Sequence, residues 1–187
     1  MKHKGTIVIE SKRLILRPFE LSDRKSAFIN WAGDDKVTEF LKWPTHKDED
    51  FTHNVIKFWL DKYNDKSFYN LAIVFKEINE VIGVISIPWL DEKANKVHIG
   101  YSIGSKWWNR GIAREALAAI IPFLFEEVGV GRIEAIHDPN NPSSDKVMLK
   151  NGFTYEGTMR NYDFTNKGIS DASIYSILSE EYFSKKY

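Results

Sequence analysis

The sequence predicts a mixed α/β domain in which one sheet carries helices on its faces. Three observations lead there. The chain has 187 residues, the size of one domain that buries a full core. Short β-branched or alternating apolar runs recur along its whole length. Between them lie segments with apolar residues at helical spacing, in the order strands, two helices, three strands, helix, strand, helix, two strands.

Thr6 to Ile9 and Leu14 to Leu16 read as short strands, the second closed by Pro18. Ser22-Asp23 offers a cap for a helix carrying Ala27, Phe28 and Trp31, which Gly33-Asp34-Asp35 interrupts. Thr45 with Asp48 three residues later resembles a capping box, and Phe51, Val55, Phe58, Trp59 and Tyr63 continue as the apolar face of a second helix. His46 and His53 read as solvated residues beside that face. LAIVFKEINEVIGVISIPWL is a hairpin around Lys76 to Glu80, and Val97 to Ile103 is the next strand. The helix beginning near Ile112 is apolar on most faces, so it packs on a sheet, and it ends at Gly129 or Gly131. Pro122 lies in its interior, where the missing N–H and the ring clash cost about 3 kcal/mol, so a kink or break is expected there. Arg132 to Asp138 is a strand, Asn141-Pro142 opens a helix from about Ser143 to Asn151, and TYEGTMRNYDF with DASIYSIL closes the chain as a hairpin.

Composition removes several function classes. Lys plus Arg and Asp plus Glu both number 26, so no global charge draws the chain to nucleic acid or to an anionic membrane. With no cysteine there is no disulfide framework, no thiolate zinc site and no acyl-cysteine intermediate. The five histidines never fall at His-x-x-x-His spacing, and no metal is expected. The apolar run near the start is too brief for a signal peptide, and Ala116 to Phe125 is half a membrane span, so the expectation is a soluble, cytoplasmic protein.

Two turns carry the chemistry. Trp108-Asn109-Arg110-Gly111-Ile112-Ala113 lies between a strand and a helix, where unpaired N–H groups and the positive end of the helix dipole converge on a point suited to phosphate. Small Gly111 and Ala113 permit close approach, and Arg110 and Arg114 add charged donors. Taken alone, such a turn also serves as a plain helix cap. The second is Asn141-Pro-Ser-Ser144-Asp-Lys-Val-Met-Leu-Lys-Asn-Gly152-Phe153, in which Asn141 and Ser144 taken alone would be capping residues.

With these two turns in order, the sequence resembles the GNAT N-acetyltransferase family, in particular its RimJ/RimL-like branch of ribosomal-protein N-terminal acetyltransferases. The resemblance runs through SKRLILRPFELSD, IGVISI, HIGYSIGSKWWNRGIAREAL, GVGRIEAIHDPNNPSSDKVMLKNGF and DASIYSILSEE, nearly the whole chain. It implies a single GNAT domain over residues 1–187, with a mostly antiparallel sheet of about seven strands. About four helices flank it, and its fourth and fifth strands, Val97 to Ile103 and Arg132 to Asp138, splay apart around acetyl-coenzyme A.

The resemblance also assigns residues. The backbone of Asn109, Arg110, Gly111, Ile112, Ala113 and Arg114 holds the pyrophosphate, with Trp108 standing where the family usually has Gln or Arg. Tyr101, Ser102 and Ile103 pair with the pantetheine arm and donate an N–H to the thioester carbonyl. Asn141 hydrogen-bonds the cofactor, and Ser144 lies near the thiol as acid or donor to the leaving thiolate. Some of Phe40, Trp43, Trp59, Phe68 and Tyr69 line the acceptor pocket, and the rest are core.

Without a cysteine nucleophile, direct attack of a neutral amine on the thioester is favoured. An α-amine with pKa near 7.7 to 8.0 is roughly a tenth to a quarter neutral at neutral pH, far more than a lysine, so a weak base suffices. The base is open between His98, at a position where the family often has Glu, Glu134 on the neighbouring strand, and water. The acceptor is expected to be a protein N-terminus. A polyamine or aminoglycoside acetyltransferase and a non-catalytic acyl-coenzyme A sensor are the alternatives. The oligomeric state is open, a homodimer being compatible with the sequence.

Overall fold

The computed structural model describes residues 1–184. One sheet of eight strands organises it, in the spatial order β1-β2-β3-β4-β5-β6-β8-β7. In chain order these are β1 (Ile9–Glu10), β2 (Leu14–Arg17), β3 (Asn70–Phe75), β4 (Glu80–Asp91), β5 (Lys96–Ile103), β6 (Arg132–His137), β7 (Thr154–Thr165) and β8 (Gly168–Leu178). Every pairing is antiparallel except β5 with β6. The expected strand at Thr6 to Ile9 shrinks to two residues, because Gly5 and Thr6 bond instead to Lys66 and Phe68. With it the sheet has eight strands, where the resemblance implies about seven.

The α-helices are α1 (Arg24–Ala27), α2 (Asp35–Thr38), α3 (Glu49–Lys62), α4 (Ile112–Pro122), α5 (Pro142–Leu149) and α6 (Ser179–Ser184). Among these described helices α1 is the shortened form of the expected first helix, and the short α2 and α6 are the two beyond the four expected. Two cores lie on the two faces of the sheet. On one, α4 and its continuation pack Ile112, Leu117, Ile120 and Leu124 against Leu14, Leu71, Ile73, Val97, Ile99 and Ile133. On the other, Phe19, Ala27, Trp31 and Ile56 cover Ala72, Val74 and Val81. The central strand β3 is covered on both faces, which explains its unbroken apolar run LAIV. Each fully buried Leu or Ile contributes about 1.5–3 kcal/mol, more than an exposed ion pair does.

Several local expectations shift. The α3 helix starts at Asp48, whose carboxylate accepts from the Phe51 N–H at 2.7 Å, while Thr45 bonds Thr38 rather than forming a capping box. Its buried residues are Thr52 and Ile56, so Phe51 and Phe58 face outward. His46 is not solvated: it is 7% exposed, its Nδ1 lies 2.9 Å from the Thr52 hydroxyl, and burial holds its pKa below the usual histidine value. The first helix is interrupted as well, passing from a 3₁₀ turn at Leu21–Asp23 through α1 to a π turn at Phe28–Ala32. Pro122 ends α4 as expected, and the chain continues as a π-helical turn, Phe123–Val128, to Gly129 at φ 76°. Without a Pro122 N–H the ladder loses a bond, and the wider turn keeps Phe123, Leu124 and Phe125 buried.

Candidate active site

The strands β5 and β6 pair only through Lys96 with Arg132, Val97 with Ile133 and His98 with Glu134. Beyond these β5 runs on to Ile103 and β6 to His137 without pairing, and the sheet opens into a wedge. A β-bulge lies at the branch point. Ser86 pairs with Gly100 but Trp89 with His98, so β4 takes three steps where β5 takes two, and Ile87-Pro88 opposes Ile99. A bulge bends its strand and tolerates a proline that a regular central strand would not.

Alternation along the antiparallel ladder decides what faces the wedge. Gly104 donates to the Ile82 carbonyl, so Gly100, Ser102 and Gly104 direct their backbone groups to β4. Those of Ile99, Tyr101 and Ile103 turn toward the wedge. The Ile103 carbonyl there accepts from the Trp108 indole at 2.8 Å, so Trp108 caps the end of β5. Ser102 points its side chain to the other face, where its hydroxyl accepts from the Trp31 indole at 2.8 Å.

The turn at the wedge mouth has two left-handed residues, Asn109 at φ 60° and Gly111 at φ 73°. Asparagine and glycine tolerate that region best, and here it brings successive N–H groups round to one concavity before α4 begins at Ile112. A Cβ on Gly111 would meet only Arg13 Nη2, at 3.7 Å, so the outer side of the turn is open. Ile112, Ala113 and Arg114 in the first turn of α4 supply N–H groups without intrahelical partners.

A brace that sequence reading did not find holds this turn. The Glu115 carboxylate accepts from Ser11 Oγ at 2.8 Å and from both the backbone N and Nε of Arg13 at 2.7 Å. Arg13 Nη1 donates to the Arg110 carbonyl at 3.0 Å. Burial would raise the Glu115 pKa, but these donors outweigh it and hold the carboxyl below its usual range. The partners are about a hundred residues apart in sequence, so no local pattern announces them. Gly104 was missed too: a Cβ there would lie 1.7 Å from the Asn30 carbonyl oxygen, so the end of β5 packs directly on the helical segment before Gly33.

Across the wedge, Asn141 occupies the N-cap position of α5 without a side-chain capping bond, which leaves its amide for another partner. Tyr101 directs its hydroxyl to the Ser144 carbonyl at 3.4 Å, which joins β5 to the first turn of α5. Burial pushes the Tyr101 phenol well above its ordinary pKa, so it stays protonated. His137 Nε2 lies 2.6 Å from Asp145 Oδ1, and its Nδ1 lies 2.7 Å from the Asp138 carbonyl, which ties α5 to the end of β6. The structure thus brings Tyr101, Ile103, the 109–114 turn, Asn141 and Ser144 around one wedge, whereas Ser102, expected beside them, turns its backbone to β4 and its side chain to the other face.

The two base candidates lie side by side on the opposite face of the sheet, and their surroundings differ. Glu134 accepts from Arg132 Nε at 2.8 Å and Lys96 Nζ at 3.2 Å. Burial raises its pKa, but these two cations outweigh it, so the carboxylate stays ionised. His98 has its Nε2 buried with no hydrogen-bond partner among the described residues. Burial lowers its pKa, with Lys42 and Lys96 adding to the effect and Glu134 and Asp163 opposing it. Near neutral pH, His98 is a neutral imidazole.

On that face a cleft of 480 Å³ runs between Glu39-Phe40, the Asp138 to Asn140 loop and the β7–β8 hairpin. Asn166 at the hairpin tip fixes its width, its amide reaching the carbonyls of Thr38, Leu41 and Trp43 at 2.7, 3.0 and 3.1 Å. Of the aromatic residues expected to divide between pocket and core, Phe40 lines this cleft, Tyr69 is core, and Trp43 and Trp59 pack against the second core. No group of three metal-ligating side chains occurs among the described residues, and no described helix is long and apolar enough to cross a membrane.

Residues 13–154 match the model of the acetyltransferase (GNAT) domain. The chain belongs to the GNAT acetyltransferase family. It is an N-acetyltransferase, and its homologues include ribosomal-protein acetyltransferases of the RimJ/RimL-like kind. It is 30% identical over 172 residues to the N-acetyltransferase p20 of Bacillus licheniformis, covering 92% of this chain and 96% of that one. To the ribosomal-protein-serine acetyltransferase of Escherichia coli it is 28% identical over 141 residues, 75% of this chain and 78% of that one. The crystal structure of a GNAT-family acetyltransferase from Bacillus anthracis superposes with a TM-score of 0.81 at 26% identity, covering 94% of this chain and all of the other. In this GNAT chain the expected splay between the fourth and fifth strands is the β5–β6 wedge.

Proposed function

We propose that the protein transfers an acetyl group from acetyl-coenzyme A directly to the N-terminal α-amine of a protein. The observation that carries this reading is the wedge, where unpaired strand backbone, a left-handed phosphate turn and an uncapped Asn141 face one another. The open side of Gly111 and the free first-turn N–H groups fit a pyrophosphate. Bound there, acetyl-coenzyme A supplies the activated acetyl thioester. The Escherichia coli relative named for ribosomal-protein serine supports a protein acceptor.

In this reading each residue has a defined task. The N–H groups of Tyr101 and Ile103 face the wedge and donate to the thioester carbonyl, where negative charge develops. His98 takes the proton of the attacking amine, since it is neutral and its Nε2 has no hydrogen-bond partner among the described residues. Glu134, bound by two cations, is the weaker base and serves to bias His98. Ser144, in the first turn of α5, donates to the departing thiolate.

Release of coenzyme A thiol, followed with a thiol-reactive dye over peptides of varied N-terminal residue, spermidine and an aminoglycoside, tests the function. The protein has no cysteine to react with the dye. Release confined to peptides is the expected result; release only with the small amines would replace the acceptor, and cofactor binding without any release would make the protein a sensor. Ser144→Ala is expected to lower kcat about tenfold or more, a hydrogen bond to a charged group being worth about 1.5–3 kcal/mol, with little change in the KM for acetyl-coenzyme A. An unchanged kcat would remove Ser144 from the mechanism.

A further inference from the structure

We infer that Trp89 and Lys96 are positioning residues for His98: the Trp89 ring holds the Lys96 ammonium against Glu134, and that pair sets how readily His98 takes a proton. This deepens the reading of His98 as the base and rests on it. Trp89 stands directly opposite His98 in the β4–β5 ladder, so the two side chains share a face of the sheet. The bulge puts it there. Continued regularly from Ser86 and Gly100, the ladder would set Pro88 opposite His98, and the extra residue brings an indole instead. Glu134 is the partner of His98 on the other side, so the base lies in a row between Trp89 and Glu134.

Lys96, two residues before His98 and on the same face, connects the ends of that row. Its Nζ lies 3.2 and 3.4 Å from the two Glu134 oxygens and 5.2 Å from the centroid of the Trp89 ring. An ammonium on a flexible four-carbon stem gains little from an exposed ion pair alone, and a tryptophan face is the aromatic partner that restrains it best. Trp89 also meets the His98 ring nearly perpendicularly, the centroids 6.3 Å apart at 85°. At 48% exposure Trp89 belongs to neither core, so packing does not account for an indole there.

The charges around His98 leave this pair as the adjustable one. Burial is the largest influence on the imidazole, and four charged side chains modulate it: Glu134 from β6, Lys42 from the segment between α2 and α3, Asp163 from β7 and Lys96 from β5 itself. Lys42 and Asp163 form an ion pair at 2.6 Å, so their opposite effects on His98 offset each other. Glu134 has Arg132 as a second cation, but Arg132 is shared with Glu156, which it meets through both terminal nitrogens at 2.9 and 2.5 Å. Lys96 is thus the cation whose loss most exposes His98 to the Glu134 charge. Without it the imidazolium loses a repulsive neighbour and gains a stronger attractive one, so His98 holds its proton to higher pH.

Proton NMR titration of the His98 imidazole, identified by the signal missing in His98→Gln, tests the inference together with the pH profile of kcat/KM. Lys96→Met is expected to raise the His98 midpoint by about half a pH unit, the size of effect a partly exposed charge has, and to move the acid limb up with it. This is the reverse of the shift expected from Glu134→Gln. Trp89→Leu should shift both in the same direction by less, Trp89→Phe should restore them, and in a Lys96→Met background Trp89→Leu should add nothing. The signals of His3 and His137 serve as controls for the fold. Midpoints equal to wild type in Lys96→Met and Trp89→Leu overturn the positioning role while leaving His98 as the base. A Trp89→Leu shift that persists without Lys96 overturns it too, because the indole then acts by shielding the ring. A moved midpoint with an unmoved acid limb overturns the base reading itself and the positioning role with it.

Discussion

Gly111→Val is expected to weaken acetyl-coenzyme A binding about a hundredfold or more, measured by calorimetry. Gly111 holds φ 73°, and a left-handed residue with a Cβ costs about 1–2 kcal/mol, more for a β-branched side chain. Space inside the protein is not the obstacle, since the added Cβ meets only Arg13 Nη2 at 3.7 Å. The damage is to the ligand side. Relieving the strain rotates the Ile112 N–H out of the concavity, and the branched side chain blocks the approach of the pyrophosphate. Loss of one or two hydrogen bonds to a charged group, about 1.5–3 kcal/mol each, gives the stated factor. Asn109→Gly, which keeps the left-handed turn without a side chain, should bind as the wild type does. Unchanged affinity in Gly111→Val would show that the turn holds no phosphate.

His98→Gln is expected to lower kcat/KM about a hundredfold or more and to remove the acid limb of the pH profile, as loss of a general base does. The sign follows from burial, which depresses the His98 pKa below the usual histidine value. The base is therefore neutral and competent above about 6.5, and activity is lost as pH falls through its lowered pKa. Glu134→Gln should act differently. Glu134 raises the His98 pKa against burial, so its neutralisation moves the acid limb to lower pH and leaves the limb in place. An acid limb that survives His98→Gln but vanishes with Glu134→Gln would exchange the two roles.

The order of elements and the two turns flanking the wedge were legible because each rests on local signals. Strand runs, Gly129 beyond the end of α4, the break at Pro122 and Asn141-Pro142 at the start of α5 all act within a few residues. The face of α3 was misread because Phe51 and Phe58 look like core residues by type. In the fold, Thr52 and Ile56 face inward, since Trp31, Phe19 and Trp59 already fill the space against the sheet. His46 went the same way: its polarity suggested solvent, yet Trp43 and Phe51 enclose its ring.

The sequence by itself determined the family, the wedge strands and the turn that leads into α4, because unpaired N–H groups at a helix start depend on backbone conformation that Asn109 and Gly111 set locally. Only the tertiary structure decided which groups are free to react. Glu134 is bound because Arg132 and Lys96 reach it, whereas the buried Nε2 of His98 has no hydrogen-bond partner among the described residues. The brace of Ser11, Arg13 and Glu115 beneath the turn likewise exists only once β2 and α4 are packed on the same face. Proton affinity and the positioning of a turn depend on charges and donors brought together from distant parts of the chain, and that proximity is a property of the packed sheet.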